Sequence, residues 1–362
     1  MIDQKHQVAL VISRRCCCAL IAQFGFASLF GLAQTNPPAI RSQSTAVLVP
    51  TLVKTKTGNI VFGLSARDFI VEDNGVEQSV QVDESAEAEP LSVVVAVQVG
   101  RTAALQLQTS RPHSLEDDEH SGNRGAPLGG LGTMLESYIG QSTAAVAVVT
   151  FDSQAHLLQD FTDDIPVVVD KLRKLVPGDD GAAILDAVLY SNVLLDRRPG
   201  AGRRVIILIS ESRDHGSQVA KLDKLVQQLS VSNTLVYSVT FSPARAEFIR
   251  DMKGENPSTQ IDLMKPLVMA VNGLRKNAAG TVAELTGGEY ETFGNKRAFD
   301  AQMDALTVDD HNRYLLSFQP IDPKPGPHFI KVRLRRPECT CTVTARSMYW
   351  AVSRQTENGA VP

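Results

Sequence analysis

The chain has 362 residues, 43% hydrophobic and 21% charged, with 36 Lys+Arg against 40 Asp+Glu and a formal net charge of −4. That balance excludes a fibre and a basic nucleic-acid binder, and charges spread without a basic block or acidic tail nominate neither nucleic acid nor an anionic membrane as partner. Five cysteines, Cys16, Cys17, Cys18, Cys339 and Cys341, are too few for a disulfide-stapled scaffold and oddly clustered for a zinc site.

Arg14 and Arg15 stand before an apolar run from Cys16 to Leu32, followed by polar Gln34-Thr35-Asn36-Pro37-Pro38. This is signal-peptide anatomy, with a small-x-small site at Gly31-Leu32-Ala33 placing cleavage between Ala33 and Gln34. The run is short and Gly-interrupted for a stable bilayer span, so a cleaved signal over 1–33 is favoured over a retained anchor. Ser13-Arg14-Arg15 is read as an ordinary basic n-region and not a twin-arginine signal. Cleavage would remove Asp3, Lys5, Arg14 and Arg15, taking the net charge from −4 to −6. The expected destination is secreted or periplasmic. Of the remaining pair, Cys339 and Cys341 two residues apart in a β-like stretch admit a strained disulfide, a metal-binding pair or two packed thiols, the last being preferred.

After a flexible lead-in over 34–45, short β signals follow over 46–89: Val47-Leu48-Val49, Thr51-Leu52-Val53, Asn59-Ile60-Val61, Asp68 to Val71 and Ser79 to Val82. Turns are expected at Thr57-Gly58 and Asn74-Gly75. From Leu91 the pattern changes. Val93 to Val97, Ala145 to Val149, Val205 to Ile209 and Leu235 to Val239 are apolar on both faces, as central parallel strands covered by helices are. Ile184, Leu185, Val188, Leu189 and Leu195 recur at helical spacing, as do Val219, Leu222, Leu225, Val226 and Leu229. The order β-α-β-β-α-α-β-α-β-α-β-α predicts a doubly wound, mostly parallel α/β sheet over 90–310, with insertions at 101–132 and 243–273. Strands are then expected at Tyr314 to Phe318, His328 to Leu334 and Val343 to Val352 in a C-terminal β segment over 311–352, before a tail over 353–362. The two β segments are expected to pack together as a small β-sandwich, with the α/β domain inserted between them.

Several stretches together carry a resemblance: Val49-Pro50, Gly63 to Phe69, Glu72 to Gln78, Glu89 to Val93, Leu185-Asp186-Ala187, Thr286-Gly287-Gly288, Tyr314 to Phe318 and Val343 to Tyr349. In that order and spacing, from about Thr45 to Ala351, the chain resembles the acidobacterial VWFA-related proteins, exported bacterial chains with a von Willebrand factor A-type domain. The resemblance implies a metal-ion-dependent adhesion site on the top of the sheet: Asp-x-Ser-x-Ser after the first strand, a Thr from a second loop and an Asp after the fourth strand. These positions fall here on Gln98, Gly100, Thr102, Ala182 and Glu211, with Asp214 a possible outer-shell substitute. A hard cation such as Mg²⁺ wants several oxygen ligands in near-octahedral array, and this set offers one carboxylate. No metal and no other cofactor is therefore expected, and the adhesion site is read as degenerate.

Catalytic motifs are thin, without a Gly-x-Ser-x-Gly elbow, His-Glu-x-x-His helix or Walker loop, and the protein is expected not to be an enzyme. The tract from His113 to His120 reads as a solvated acidic loop. Asp309-Asp310-His311 reads as a cap or turn, and Lys331, Arg333, Arg335 and Arg336 as a solvated sheet face. The expected function is non-catalytic macromolecular interaction of protein-protein or adhesion type, with a protein or glycan partner held by the top-face loops. Nucleic acid and a stable membrane span are not expected. Two alternatives are a structural or assembly role in the cell envelope with the β segments making the contacts, and metal-dependent adhesion through a non-standard site.

Overall fold

The computed structural model describes residues 46–83, 90–100, 129–141, 144–198, 202–241, 265–294, 296–321, 324–335 and 340–351. The expected signal and lead-in over 1–45, the loop residues 101–128, Thr102, residues 242–264, Arg336, Cys339 and the tail lie outside them. No helix among the described residues is long and apolar enough to cross a membrane.

The centre is a six-stranded sheet of β5 (Leu91–Gln98), β6 (Ala144–Phe151), β7 (Ala155–Thr162), β8 (Arg203–Ser210), β9 (Thr234–Phe241) and β10 (Tyr290–Phe293), in the order β10-β9-β8-β5-β6-β7. Only β7 runs antiparallel. The apolar runs become strands because both faces are covered. Successive side chains alternate between faces, so Val93, Val95 and Val97 enter one core and Val94 and Ala96 the other. The first core is closed by helices α1 (Gly129–Gln141), α2 (Ile165–Arg173) and α7 (Lys296–His311), through residues such as Leu135, Val168 and Met303. The second is closed by α3 (Ile184–Arg197), α4 (Leu222–Val231), α5 (Lys265–Lys276) and α6 (Ala278–Thr286), through Val188, Val226, Leu274 and Val282. This is the mixed α/β architecture with a mostly parallel sheet that the sequence pattern predicts.

Both expected insertions end early. Helix α1 begins at Gly129 and already buries Leu131, and α5 begins at Lys265 and buries Ala270. The Gly129-Gly130-Leu131-Gly132 start reads as loop because glycine is a poor helix former; tertiary burial overrides that preference.

Strands β1 (Val47–Thr55), β2 (Phe69–Asp73), β3 (Val76–Gln78) and β4 (Val80–Asp83) precede this unit in the chain. Strands β11 (Tyr314–Phe318), β12 (Gly326–Leu334), β13 (Cys341–Ala345) and β14 (Met348–Ala351) follow it. They form two four-stranded sheets, β13-β1-β11-β4 and β14-β12-β2-β3, each mixing early and late strands. Val49, Phe69, Val71, Leu316, Phe318 and Ile330 lie in the core between them. The Asn74-Gly75 turn joins β2 to β3 with φ of 49° and 83°, the left-handed pair that a tight two-residue hairpin requires.

Val343 to Val352 is not one strand. The chain leaves one sheet after Ala345 and enters the other at Met348, because the buried Arg346 turns inward to the α/β unit. Its Nε donates to the Met348 carbonyl (2.8 Å), Nη1 to Asn233 Oδ1 (2.8 Å) and Nη2 to the Leu229 (3.0 Å) and Ser230 carbonyls at the end of α4. These are the carbonyls a helix terminus leaves unpaired, and the dipole there favours a cation. Burial lowers the Arg346 pKa to about 10.

A second seam joins β1 to the α/β unit. Lys54 Nζ donates to Glu289 Oε1 (3.1 Å) and Asp309 Oδ2 (2.5 Å). Asp310 pairs with Arg203 and accepts from the Tyr237 hydroxyl (2.7 Å), which in turn accepts from Arg313 Nε (2.8 Å). Burial raises Glu289 to a pKa of about 7, with Arg313 and Lys54 opposing and Asp309 reinforcing the shift. Asp309 thus pairs across the seam, while Asp310 pairs inside the α/β unit, both from the last turn of α7.

Lys331, Arg333 and Arg335 are exposed on the outer face of β12 and just beyond it, where Arg333 pairs with Glu72 of β2 and Arg335 with Glu77 of β3 at 2.6 Å. Cys341 is disulfide-bonded, to a partner outside the described residues, so the packed-thiol reading does not hold for it.

Candidate functional site

Parallel strands β5, β6 and β8 end at the same edge of the sheet, and their exit loops converge with the loop leading into α3. Such a carboxyl-end crevice is where open α/β sheets place ligands. Gln98, the last residue of β5, is 2% exposed. Its Oε1 accepts from the Glu211 backbone N–H at 2.9 Å, while Nε2 lies 3.4 Å from both the Gly181 carbonyl and Glu211 Oε1. One amide therefore serves a donor and two acceptors, something a carboxylate at this position could not do.

The neighbouring positions are closed in the same manner. A Cβ on Gly100 would lie 3.0 Å from the Asp179 and Gly181 carbonyls, so the loop packs where a serine side chain would start. Ala182 is fully buried, offers no side-chain ligand atom, and exchanges two 3.0 Å backbone hydrogen bonds with His215. His215 Nε2 in turn pairs with Glu211 Oε1. Asp214 is not directed to a metal position: its Oδ1 accepts from the Leu185 N–H (3.0 Å) and the Ser217 hydroxyl (2.5 Å). It caps the N-terminus of α3, whose own cap residue, Ala183, has no side-chain acceptor. Thus Gln98, Gly100, Ala182 and Glu211 come together, Asp214 is spent on the helix, and Thr102 lies outside the described residues.

Two locks escape the sequence reading. Asp186 of α3 accepts from the backbone N–H groups of Gln218 (2.8 Å), Val219 (3.1 Å) and Ala220 (2.6 Å), fixing the segment that follows Asp214. Asp179 accepts from the Ser153 (3.0 Å) and Gly181 (2.8 Å) N–H groups and from the Ser153 hydroxyl, which lowers its carboxyl pKa. Gly181 is obligatory there, since a Cβ would fall 2.5 Å from the Ser153 nitrogen. The Gly178-Asp179-Asp180-Gly181 composition signals a turn, but not the residue that the turn grips. Among the described residues no group of three or more His, Cys, Asp or Glu side chains is arranged to hold a metal ion.

A sequence profile of the von Willebrand factor type A domain matches residues 129–214, from α1 through β8 to the Glu211–Asp214 loop. No match was found among curated protein sequences. Similar solved structures include a von Willebrand factor type A protein from Catenulispora acidiphila (11% identity, 86% of this chain and 64% of that one, TM-score 0.42). Another is an aerotolerance-related membrane protein from Bacteroides fragilis (15% identity, 61% and 98%, TM-score 0.38). A third is the vWF domain of the type V pili tip protein Mfa5 from Porphyromonas gingivalis (9% identity, 61% and 96%, TM-score 0.39). The matched segment supplies β6, α3 and β8, the elements whose ends build this crevice, and on that match and this topology the chain contains a von Willebrand factor type A domain.

Proposed function

We propose that the protein is an exported, non-catalytic interaction module that engages a macromolecular partner through the carboxyl-end face of its central sheet, without a metal ion. The observation that carries this reading is the Gln98 amide, bonded to the Glu211 N–H and facing the Gly181 carbonyl where the fold family places a ligand carboxylate. The residues present do not fit a hard divalent cation. Glu211 is the one carboxylate in the set and is held by His215, Ala182 contributes no donor, and Gly100 packs against carbonyls. In metal-bearing members the ion would grip an acidic group of the partner. With no ion, recognition rests instead on shape and hydrogen bonding by the loops, and the carboxylates Asp179, Asp180 and Glu211 at this edge favour a partner with a basic contact surface.

The sequence reading of 1–33 supports export, and the use of the top-face polar groups in holding loops together supports a non-catalytic role. The direct test is affinity capture from envelope extract with the 34–362 chain, with and without EDTA. Capture that is insensitive to EDTA and lost on deleting 105–128 supports the reading. Capture that EDTA abolishes, or that survives the deletion and needs the β segments instead, contradicts it.

A further inference from the structure

At the opposite end of the central sheet, a cleft of about 640 Å³ separates the sandwich from the amino-terminal ends of β8 and β9. Its two walls differ in chemistry. One is apolar and comes from β1 and β11. Val47, Val49 and Val53 of β1 face the sandwich core, so by strand alternation Leu48 and Pro50 project from the other face, where Leu315 stands directly opposite Pro50. A sandwich sheet normally turns polar residues outward. Here the outward strip is apolar, and Leu48, Pro50 and Leu315 remain half-exposed beside the cleft.

The other wall is mixed: Arg204 at the start of β8 and Gln227 and Gln228 near the end of α4 stand beside Val231, and the Asp196 and Asp310 carboxylates there are paired with Arg204 and Arg203. Arg204 donates through Nη1 to Asp196 (2.6 Å), and its Nε and Nη2 form no hydrogen bond among the described residues. The cation is therefore anchored at one nitrogen and keeps further donors. The volume falls within the range of small-molecule sites, which favour the junctions between domains.

We propose that this cleft is a binding site for a small amphiphilic anion, with an aliphatic or aromatic body on the Leu48, Pro50 and Leu315 strip and a carboxylate accepting hydrogen bonds from Arg204. An apolar wall facing a guanidinium with spare donors matches such a molecule better than a purely apolar or purely charged one. The site is remote from the top-face loops and stands independently of the reading given for them.

Calorimetric titration of the 34–362 chain with decanoate, and with decanol as the uncharged control, tests it. Saturable one-to-one decanoate binding is expected. Arg204→Gln should weaken decanoate by about tenfold, the value of a charge-assisted hydrogen bond, while leaving decanol unchanged. Leu48→Gln should weaken both. Each variant is checked for an unaltered thermal midpoint, so that lost binding is not lost folding. The absence of saturable decanoate binding, or binding indifferent to both substitutions, overturns the proposal.

Discussion

Gln98 is the residue on which the top face turns. Its buried amide satisfies the Glu211 backbone N–H, so Gln98→Ala should destabilise the fold by about 1–3 kcal/mol, the cost of leaving such a group unpaired, measurable by urea unfolding. Glu289 gives a pH signature. Its pKa is about 7 in the fold against 4.5 ordinarily, so the folded state holds the proton more tightly than the unfolded chain. That contribution is fully present below about pH 4.5 and is lost as pH rises through 7. Glu289→Gln should therefore flatten the fall in stability between pH 5 and 8, by an amount on the order of 2–3 kcal/mol. The variant should match the parent near pH 5 and exceed it at pH 8. An unchanged slope would show that the Lys54 pairing holds the carboxylate ionised. The positions that the resemblance assigns to an adhesion site could be located on the chain because each stands beside a recognisable strand or helix: Gln98 closes β5, Glu211 follows β8 and Ala182 precedes α3. Asp214 and Asp179 were not legible in their actual roles. Asp214 takes the Leu185 N–H 29 residues away and Asp179 the Ser153 N–H 26 residues away, contacts that form only after the loops close.

The elements repeat this distinction. Apolar runs of five residues, interrupted only by Ser238 in β9, announced β5, β6, β8 and β9 because two-sided burial leaves no polar face to confuse the pattern. Alternation could not reveal that β13 and β14 belong to different sheets. The corner between them depends on Arg346 finding the end of α4, a contact separated by well over a hundred residues. Arg346→Leu should expose that dependence. It strips the Ser230 carbonyl of its Arg346 donor and leaves the Leu229 carbonyl the Ser232 hydroxyl at 3.4 Å, and a loss of about 2–4 kcal/mol is expected in urea unfolding, with rapid amide exchange in the last turn of α4. A loss within about 0.5 kcal/mol, typical of surface substitutions, would mean that water caps the helix as well.

The described residues build three apolar cores, but the sandwich cannot form from either flank alone, since β1 pairs with β11 and β13, and β2 with β12. Arg346 and the Lys54, Glu289 and Asp309 cluster then tie it to the α/β unit. Scanning calorimetry should accordingly show one unfolding transition, and limited proteolysis should not release 46–83 as a folded fragment. Two separated transitions would mean that the seams contribute little. Above these stands the proposal that the face which would grip a metal ion is closed by hydrogen bonds instead. Calorimetric titration of the 34–362 chain with Mg²⁺ and with Mn²⁺ addresses it most directly. No saturable heat is expected from either ion, and the thermal midpoint should be unchanged in EDTA. Micromolar binding of either ion, abolished by Glu211→Ala, would contradict it.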